Sequence, residues 1–467
     1  MDVSTIAAIA TPSGPGGIGI IRISGPEALK ILGCLFRPRR SDLRSGEGGI
    51  RDWESHRLYY GQITDPRDGA TIDEALVAFM MAPRSYTRED VVEIQVHGGP
   101  VGLRTILDLV VRSGARLAEP GEFTRRAFLN GRIDLSQAEA VIDLIQSRTT
   151  SGLKMATAQL GGEMRRCIEG LRKTLREILV EIEVGIDFPE EVDQEHLEND
   201  LSNRLRDQVR IPLSDMIERF EHGRILREGF RLGVIGRPNV GKSSLMNRLL
   251  DEDRVIVTEI PGTTRDAVEE QILFYGVPVI ITDTAGLQTS FDPVEQIGMQ
   301  KTREVIARAD GILFVVDGSQ PLKESDWVIF EQVPPEKTLV VVNKIDKRTG
   351  RDPWPIPDSW KGVPVVEISA LYNRQLDTLK RTIAGMATDG CVGEIEHGLI
   401  PNLRHQGAMK NANEAITRAE EDVRQGQPME LVAISIEESL SFLGQILGIE
   451  IREDLLEDIF NRFCIGK

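Results

Sequence analysis

The chain has 467 residues, enough for two or three domains, and its apolar and charged shares are ordinary for a globular protein. Its formal net charge of -17 argues against a surface that binds nucleic acid mainly by charge, because phosphate binding needs clustered Lys and Arg. An RNA substrate therefore requires local basic patches or a partner protein.

The first half of the chain predicts a sheet followed by helices. Residues 1 to about 118 contain short β-like runs separated by Gly and Pro, such as Ile18 to Ile23, Ala75 to Met80 and Val91 to Val96. We expect an α+β module there. Between about 123 and 227, apolar residues recur three or four positions apart, which predicts helices.

The segment from about 229 to 390 predicts an α/β domain. Buried-strand runs such as Gly311 to Val316 and Leu339 to Val342 alternate with polar helices, which is the pattern of a parallel sheet. A helical pattern returns from residue 391 onward. We therefore expect one helical domain that an α/β domain interrupts, with its two parts packed together.

The cysteines and the N-terminus argue for a reduced, soluble compartment. Cys34, Cys167, Cys391 and Cys464 are far apart and form no C-x-x-C pair, which disfavours a disulfide framework or a zinc site. The N-terminus lacks a basic signal segment, and no apolar run approaches the roughly 20 residues that span a bilayer. We expect a cytoplasmic protein without membrane association.

A phosphate-binding loop follows an apolar strand and precedes a helix-like run. Residues Gly236 to Ser243 fit the pattern G-x-x-x-x-G-K-[ST]. Gly236 and Gly241 permit the backbone N–H groups to surround phosphate. Lys242 reaches the terminal phosphates, and Ser243 supplies a hydroxyl to Mg²⁺. A second strand-end aspartate, Asp283 in the run Asp283 to Gly286, can reach Mg²⁺ through water.

Two further strand-end motifs select the base. In the run Asn343 to Asp346, the Asp346 carboxylate can accept from both the N1–H and the 2-amino group of guanine. Ser369 and Ala370, after another strand, place a backbone N–H near the guanine oxygen. Each short motif alone also fits an ordinary strand-to-helix turn. Together they indicate a GTPase.

The catalytic water needs a group other than the glutamine of Ras-like proteins. Leu287 follows the Asp283 motif, and a leucine cannot orient a water. Thr264, in the run Gly262 to Asp266, is the candidate switch threonine that binds Mg²⁺ only with GTP. Glu295 could polarise the water, although the residues alone favour a plain solvent-facing helix glutamate at this position.

These motifs resemble the MnmE (TrmE) family of tRNA-modifying GTPases. The resemblance rests on the runs Gly236 to Ser243, Gly262 to Asp266, Asp283 to Leu287, Asn343 to Asp346 and Cys464 to Lys467. It extends over the whole chain and includes Thr5 to Pro12, Gly16 to Gly19, Arg22 to Gly25 and Pro120 to Phe128. GTPases of the Era and Der kind lack this N-terminal part and the C-terminal tetrapeptide.

The resemblance implies a homodimer joined through its N-terminal domains, with a Ras-like P-loop G domain inserted in a helical domain. K⁺ at the contact between two G domains would replace an arginine finger. Its ligands would be Asn239, Thr258, Ile260 and Thr263. The water-activating residue of the family falls on Glu295, and Gln288 stands where some relatives have arginine.

The resemblance also implies that the N-terminal domain binds 5-formyl- or methylene-tetrahydrofolate as a one-carbon source. Arg22, Glu93 and Arg132 match the folate positions, and Lys467 approaches from the C-terminus; Arg132 replaces the lysine of other members. The residues alone indicate only a strand-end surface charge for Arg22 and a solvent-side strand residue for Glu93. Cys464 is either a mobile thiol or a reactive group.

In the family, a partner called MnmG (GidA) brings FAD and uses NADH, and a heterotetramer adds a carboxymethylaminomethyl or aminomethyl group to carbon 5 of the wobble uridine (U34) of certain tRNAs. The predicted domains are 1–118 for folate binding and dimerisation, 119–228 and 391–467 for the helical domain, and 229–390 for the G domain. The predicted GTP-binding residues are Asn239, Val240, Gly241, Lys242, Ser243, Ser244, Thr258, Thr263, Thr264, Asp283, Thr284, Ala285, Gly286, Asn343, Lys344, Asp346, Ser369 and Ala370. The catalytic candidates are Glu295, Lys242 and Asn239.

Two other classes of GTPase compete with this interpretation. An Era- or Der-like factor would act in ribosome assembly by docking, without RNA chemistry, and it needs no folate site. A septin-like GTPase would polymerise and would lack the dedicated N-terminal module. The residues that separate these classes are therefore Arg22, Glu93 and the C-terminal tetrapeptide.

Overall fold

The computed structural model describes residues 4–12, 14–39, 53–147, 149–188, 200–253, 270–283, 303–348, 354–388 and 402–467. Among the helices in these ranges, none combines the length and the apolar content that crossing a membrane requires.

The N-terminal region folds into a mixed sheet. Its strands are β1 (Ile6–Ile9), β2 (Gly16–Ser24), β3 (Phe36–Pro38), β4 (Arg57–Thr64), β5 (Thr71–Met80), β6 (Val91–Gly98) and β7 (Arg116–Leu117). They lie in the order β3-β4-β5-β6-β2-β1-β7, and every pair is antiparallel except β1 with β7. Helices α1 (Ala28–Leu35) and α2 (Pro100–Arg112) share an apolar core with one face of this first sheet.

A second sheet follows in the middle of the chain. Its strands are β8 (Phe230–Ile235), β9 (Glu270–Phe274), β10 (Val277–Asp283), β11 (Gly311–Asp317), β12 (Thr338–Asn343) and β13 (Val365–Glu367). The order is β13-β12-β11-β8-β10-β9. Neighbours from β13 to β10 are parallel, so the carboxyl ends of β8, β10, β11 and β12 lie at one edge.

One strand departs from the parallel sheet that the sequence predicts. Strand β9 pairs with β10 in the antiparallel sense, and Phe274 lies opposite Val277. The two residues between them, Tyr275 and Gly276, have φ values of 50° and 86°. Positive φ at both central residues is the geometry of a tight hairpin, which makes β9 an antiparallel edge strand.

Both faces of the second sheet are covered. Alternate side chains of β11 point in opposite directions, so Leu313 and Val315 belong to one core while Phe314 and Val316 belong to another. The flanking helices are α8 (Lys242–Asp253), α9 (Glu324–Phe330) and α10 (Leu376–Ala387). Burial on both faces explains the continuous apolar runs in the sequence.

The remaining elements are helices from both sides of the second sheet. They are α3 (Glu122–Leu129), α4 (Leu135–Gln146), α5 (Thr150–Leu160), α6 (Glu163–Asp187), a π-helical turn (Leu205–Arg210), α7 (Ile211–Glu228), α11 (Leu403–Arg424), α12 (Met429–Leu447) and α13 (Glu453–Phe460). Ile168 and Leu175 of α6 lie in one core with Ala412 of α11 and Ile436 of α12. The predicted fold class, with α+β, α/β and helical parts, is confirmed. The exact domain boundaries stay predictions.

The C-terminal end of the chain packs back toward the N-terminal region. Phe460 and Phe463 share a small core with Leu135 and Ala138 of α4. Gly121, which precedes α3, has a φ of 66°, and a Cβ there would lie 2.6 Å from the carbonyl oxygen of Phe460. A residue without a side chain therefore permits this close approach.

Candidate functional site

The phosphate loop lies between the ends of three strands of the second sheet. Gly236 has a φ of 152°, and a Cβ on it would lie 2.3 Å from the carbonyl oxygen of Val315. Gly241 has a φ of 100°, and its Cβ would lie 2.3 Å from Asn343 Nδ2. Both positions therefore require glycine for conformation and for space.

The residues after the loop begin helix α8. Lys242 Nζ donates to the carbonyl oxygens of Gly236 and Arg237, at 2.7 and 2.9 Å. Ser243 and Ser244 are exposed in the first turn. The N-terminus of a helix favours anions because its first N–H groups have no helical acceptor. The predicted loop, lysine and hydroxyl thus lie at the helix end that suits a phosphate.

Asn343 connects the predicted base-binding segment to the phosphate loop. This buried side chain donates from Nδ2 to the Val240 carbonyl oxygen at 3.0 Å. Its Oδ1 accepts from the Ala370 N–H at 3.1 Å and from the Lys344 N–H at 2.8 Å. Asn343 therefore fixes the relative positions of three predicted segments that are far apart in the sequence.

The side chains of Lys344 and Asp346, which follow Asn343 in the sequence, have different partners. Lys344 Nζ donates to the Asn239 carbonyl oxygen at 2.6 Å and to Asp317 Oδ2 at 2.8 Å. Asp346 Oδ1 accepts from Ser369 Oγ at 2.5 Å. The carboxylate that we assign to guanine thus has its orientation set by a neighbouring hydroxyl.

Asp317, at the end of β11, is a site residue that sequence reasoning missed. Burial raises the pKa of Asp317, but the hydrogen bonds that Lys344 and Ser319 donate outweigh burial and hold that pKa below its usual range. The carboxylate is therefore ionised at neutral pH and stabilises the Lys344 ammonium. Its signal in the sequence was an aspartate directly after a buried strand.

Part of the predicted nucleotide site lies outside the described residues. Asp283 ends β10 at the same sheet edge as the phosphate loop. The predicted residues that lie outside the described ranges are Thr258, Ile260, Thr263, Thr264, Thr284, Ala285, Gly286, Gln288 and Glu295. Their roles stay predictions.

A second constellation lies on the first sheet. Arg22 of β2 and Glu93 of β6 are directly opposite each other in the antiparallel ladder. The Glu93 Oε1 atom lies 2.9 Å from Arg22 Nε and 2.8 Å from Arg22 Nη2, and the two side chains are 18% and 20% exposed. The reading of Arg22 as a strand-end surface charge is wrong, because it lies within β2 and is paired across the sheet. Glu93 is likewise mostly buried rather than a solvent-side residue.

Aromatic rings surround the Arg22 guanidinium. Its Cζ lies 5.7 Å from the ring centroid of Phe123 and 5.9 Å from that of Tyr86. Arg132 stacks on the same tyrosine, with its Cζ 4.7 Å from the ring centroid. The structure thus brings the predicted residues Arg22, Glu93 and Arg132 together around Tyr86.

The C-terminal tetrapeptide completes this constellation. Arg22 Nη1 donates to the Gly466 carbonyl oxygen at 3.2 Å, and the Phe123 N–H donates to the Lys467 carbonyl oxygen at 3.2 Å. Gly466 has a φ of 93°, and a Cβ there would lie 2.3 Å from the carbonyl oxygen of Ile9. We call Arg22, Glu93, Arg132, Tyr86 and the tetrapeptide the arginine site. Cys464 at its edge is an exposed thiol outside any disulfide.

A buried ionic network supports the arginine site from below. Glu122 of α3 accepts from Arg116 at 2.6 Å and from Arg126 at 2.9 Å, and Arg126 also contacts Glu89. Burial raises the pKa of Glu122, but the hydrogen bonds from Arg116, the Glu119 N–H and Arg126 outweigh burial and lower the net pKa. The network stabilises α3 against the first sheet.

Comparison with known proteins places this geometry in a family. The model of the MnmE helical domain matches residues 135–464, and that of the GTP-binding protein TrmE N-terminus matches residues 5–132. The tRNA modification GTPase MnmE of Carboxydothermus hydrogenoformans is 45% identical over 467 residues, covering 99% of each chain. The chain belongs to the MnmE family. The tRNA modification GTPases MnmE of Heliobacterium modesticaldum and Oceanobacillus iheyensis are 45% and 41% identical to this chain, over 99% and 100% of both chains.

Membership of the MnmE family confirms the predicted relationship and the prediction of a GTP-hydrolysing enzyme, with GTP and Mg²⁺ as its ligands. The donors fit these ligands. The glycines let the phosphate loop pass close to β11 and Asn343 at the N-terminus of α8, and the exposed Ser243 lies at that helix end. Ser243 is thus the Mg²⁺ ligand candidate that the described residues contain.

The arginine site is built from parts of the chain that lie outside the second sheet. Sequence reasoning missed Tyr86, which belongs to no motif, and gave no role to Phe123, which lies in the run Pro120 to Phe128. Their role appears only when the loop before β6 and helix α3 come together over β2. Gly466 was noticed as part of a motif, whereas its requirement for glycine depends on a contact with β1.

Proposed function

We propose that the chain acts with an FAD- and NADH-using partner, MnmG (GidA), to add a carboxymethylaminomethyl or aminomethyl group to carbon 5 of the wobble uridine, U34, of certain tRNAs. The one-carbon unit comes from 5-formyl- or methylene-tetrahydrofolate. Relatives named tRNA modification GTPase MnmE match over the full length and support this proposal. The observation that carries it is the arginine site, because a GTPase that acts only by docking needs no such site.

GTP hydrolysis is the first half of the proposal. Mg²⁺ between Ser243 and Thr264 would neutralise charge on the phosphates, and Lys242 would contact the terminal phosphates. Glu295 would take the role of orienting and polarising the attacking water. Asp346 would accept from the donor pair of guanine, in the orientation that its bond with Ser369 provides.

K⁺ is proposed as the cation that replaces an arginine finger. Of its ligands Asn239, Thr258, Ile260 and Thr263, the described residues contain Asn239. Asn239 has a φ of 65°, and its carbonyl oxygen accepts from Lys344 Nζ. This fixed backbone leaves the exposed Asn239 side chain in the middle of the phosphate loop, where it would be available to the proposed ion.

The arginine site fits a tetrahydrofolate. The reduced pterin carries an N–H and an amino group side by side, a donor pair that the Glu93 carboxylate can accept while Arg22 orients it. The folate also ends in carboxylates, and the Arg132 side chain has no hydrogen bond or ion pair within the described part of the chain. Arg132 and Lys467 are therefore the proposed cations for that end.

The proposed domains and assembly follow from the resemblance to the MnmE family. We propose residues 1–118 as the folate-binding and dimerisation domain, 229–390 as the G domain, and 119–228 with 391–467 as the helical domain. Two chains would form a homodimer, and two partner subunits would complete a heterotetramer in the cytoplasm. The acidic chain would leave much of the RNA contact to the partner.

The test is mass spectrometry of wobble uridines in cells that lack this chain. Loss of the modification at U34, restored by the wild-type chain but not by an Arg22→Gln variant, is the expected result. Normal wobble uridines together with defective ribosomal particles would overturn the proposal and favour a ribosome-assembly GTPase. The Arg22→Gln arm separates the arginine site from the GTPase, because Arg22 lies on the first sheet, away from the nucleotide loop.

A further inference from the structure

Tyr86 lies in the arginine site in contact with two guanidinium groups that come from different parts of the fold. Arg132 stacks on its ring at 4.7 Å, and Arg22 lies 5.9 Å from the same centroid. An aromatic face attracts a cation most effectively at such distances. Two cations thus lie against one ring.

The two arginines differ in how their charges are balanced. Arg22 has Glu93 as an ion-pair partner. The exposed Arg132 side chain stacks on Tyr86 and has no carboxylate partner within the described residues. The two acidic side chains of the supporting network, Glu89 and Glu122, are paired with Arg126. Arg132 is therefore an uncompensated cation whose position depends on an aromatic ring.

Tyr86 itself is fixed at several points. Its hydroxyl shares a hydrogen bond of 2.9 Å with Oγ1 of Thr124, which is fully buried on α3. The next residue, Thr87, contacts Ser24 Oγ at 2.6 Å and accepts from Asn130 Nδ2 at 2.6 Å. The ring therefore has little freedom to move. A fixed ring lowers the entropy that Arg132 loses when it binds an anion.

We infer that Tyr86 is a positioning residue that holds Arg132 ready for the glutamyl carboxylates of the tetrahydrofolate. This inference rests on the proposed function. It adds Tyr86 to the proposed folate site and assigns the glutamyl carboxylates of the ligand to Arg132. Tyr86 acts through Arg132 and does not itself donate to the carboxylates. The pterin end of the ligand stays with Arg22 and Glu93.

Calorimetric titration of the full chain with 5-formyltetrahydrofolate tests the inference. Tyr86→Leu removes the aromatic face, so its affinity should fall roughly two- to thirtyfold, the range of a cation–π contact. Tyr86→Phe keeps the ring and should restore most of the affinity. The matched control is Tyr60→Leu, because Arg39 lies 5.9 Å from the Tyr60 ring in a similar pair on β4. Melting temperatures of all variants report on folding.

Two further measurements separate positioning from general packing. The loss caused by Tyr86→Leu should nearly vanish in an Arg132→Gln background, because the coupled residue is then absent. It should also vanish for 5-formyltetrahydropteroate, which lacks the glutamyl carboxylates. Wild-type affinity in Tyr86→Leu, or equal losses for both ligands and in both backgrounds, would overturn the inference. A wild-type chain that binds neither ligand would overturn the proposed folate site itself.

Discussion

The nucleotide loop and the arginine site place their binding groups in opposite ways. The nucleotide loop is one continuous segment, Gly236 to Ser243, whose backbone conformation depends on two glycines at the ends of parallel strands. The arginine site takes Arg22, Glu93 and Arg132 from three separate elements and Gly466 from the C-terminus. The first is therefore sensitive to local backbone geometry, and the second to the packing of distant segments.

This difference has a consequence for variants. A substitution in the nucleotide loop should change GTP chemistry and leave the arginine site intact, because the two sites are built on different sheets. A substitution in the C-terminal tail should change folate binding and leave GTP turnover intact. Measuring both GTP turnover and folate affinity in each variant therefore shows whether the two sites are physically separate, as the fold indicates.

The largest effect should come from Lys242→Ala. Removing the ammonium that we place on the terminal phosphates should lower GTP turnover by about a thousandfold, in the range for a lost transition-state donor. Affinity for 5-formyltetrahydrofolate should stay at the wild-type value. Phosphate release at saturating GTP measures the first quantity and calorimetry the second. Turnover within a few-fold of wild type would contradict the assignment.

Replacing K⁺ by Na⁺ at equal ionic strength should be the next largest effect. Na⁺ is smaller, so it would not span the ligands proposed around Asn239, and turnover should fall by about a hundredfold. Folate affinity should not respond to the exchange. Equal turnover in the two salts would remove the cation from the proposed mechanism.

Gly241→Ala tests the glycine requirement of the loop. Its Cβ would lie 2.3 Å from Asn343 Nδ2 in a backbone with φ of 100°, so GTP should bind about tenfold more weakly or worse. Gly276→Ala is the control, because Gly276 has a φ of 86° but no atom within 4 Å of its Cβ position. If both variants bind GTP equally, the contact with Asn343 does not matter.

Gly466→Ala makes the corresponding test at the arginine site. Its Cβ would lie 2.3 Å from the Ile9 carbonyl oxygen, so the tail should move and folate affinity should fall about fivefold. GTP turnover should be unaffected. Gly426→Ala, at a φ of 63° with nothing within 4 Å, is the control for backbone strain. Unchanged folate affinity in Gly466→Ala would show that the tail does not shape the site.

The smallest effect concerns acid stability at the network below the arginine site. The folded pKa of Glu122 lies below its ordinary value of 4.5, so its contribution to stability is present above about pH 4.5 and is lost as the pH falls through the folded pKa. The free energy of unfolding, measured with denaturant between pH 7 and pH 3.5, should therefore decline less steeply in Glu122→Gln than in wild type. Parallel declines would show that Glu122 is not the group responsible.

Local patterns in the sequence were enough to predict the parallel strands of the second sheet, the phosphate loop and the guanine motifs. Strands such as β11 and β12 are buried on both faces and read as continuous apolar runs. The phosphate loop and each guanine motif are runs of consecutive residues at strand ends. The geometry within each run is therefore nearly determined by the order of its own residues. The fold class was predictable for the same reason.

Contacts between distant segments were decided only by the tertiary structure. The register of β2 against β6 puts Arg22 opposite Glu93, and a shift of one residue would separate them. The antiparallel edge strand β9, the stacking of Arg132 on Tyr86 and the contact of Gly466 with Ile9 likewise depend on packing. The spacing of apolar residues along the sequence does not predict such contacts, because their energies depend on which surfaces meet when the whole chain folds.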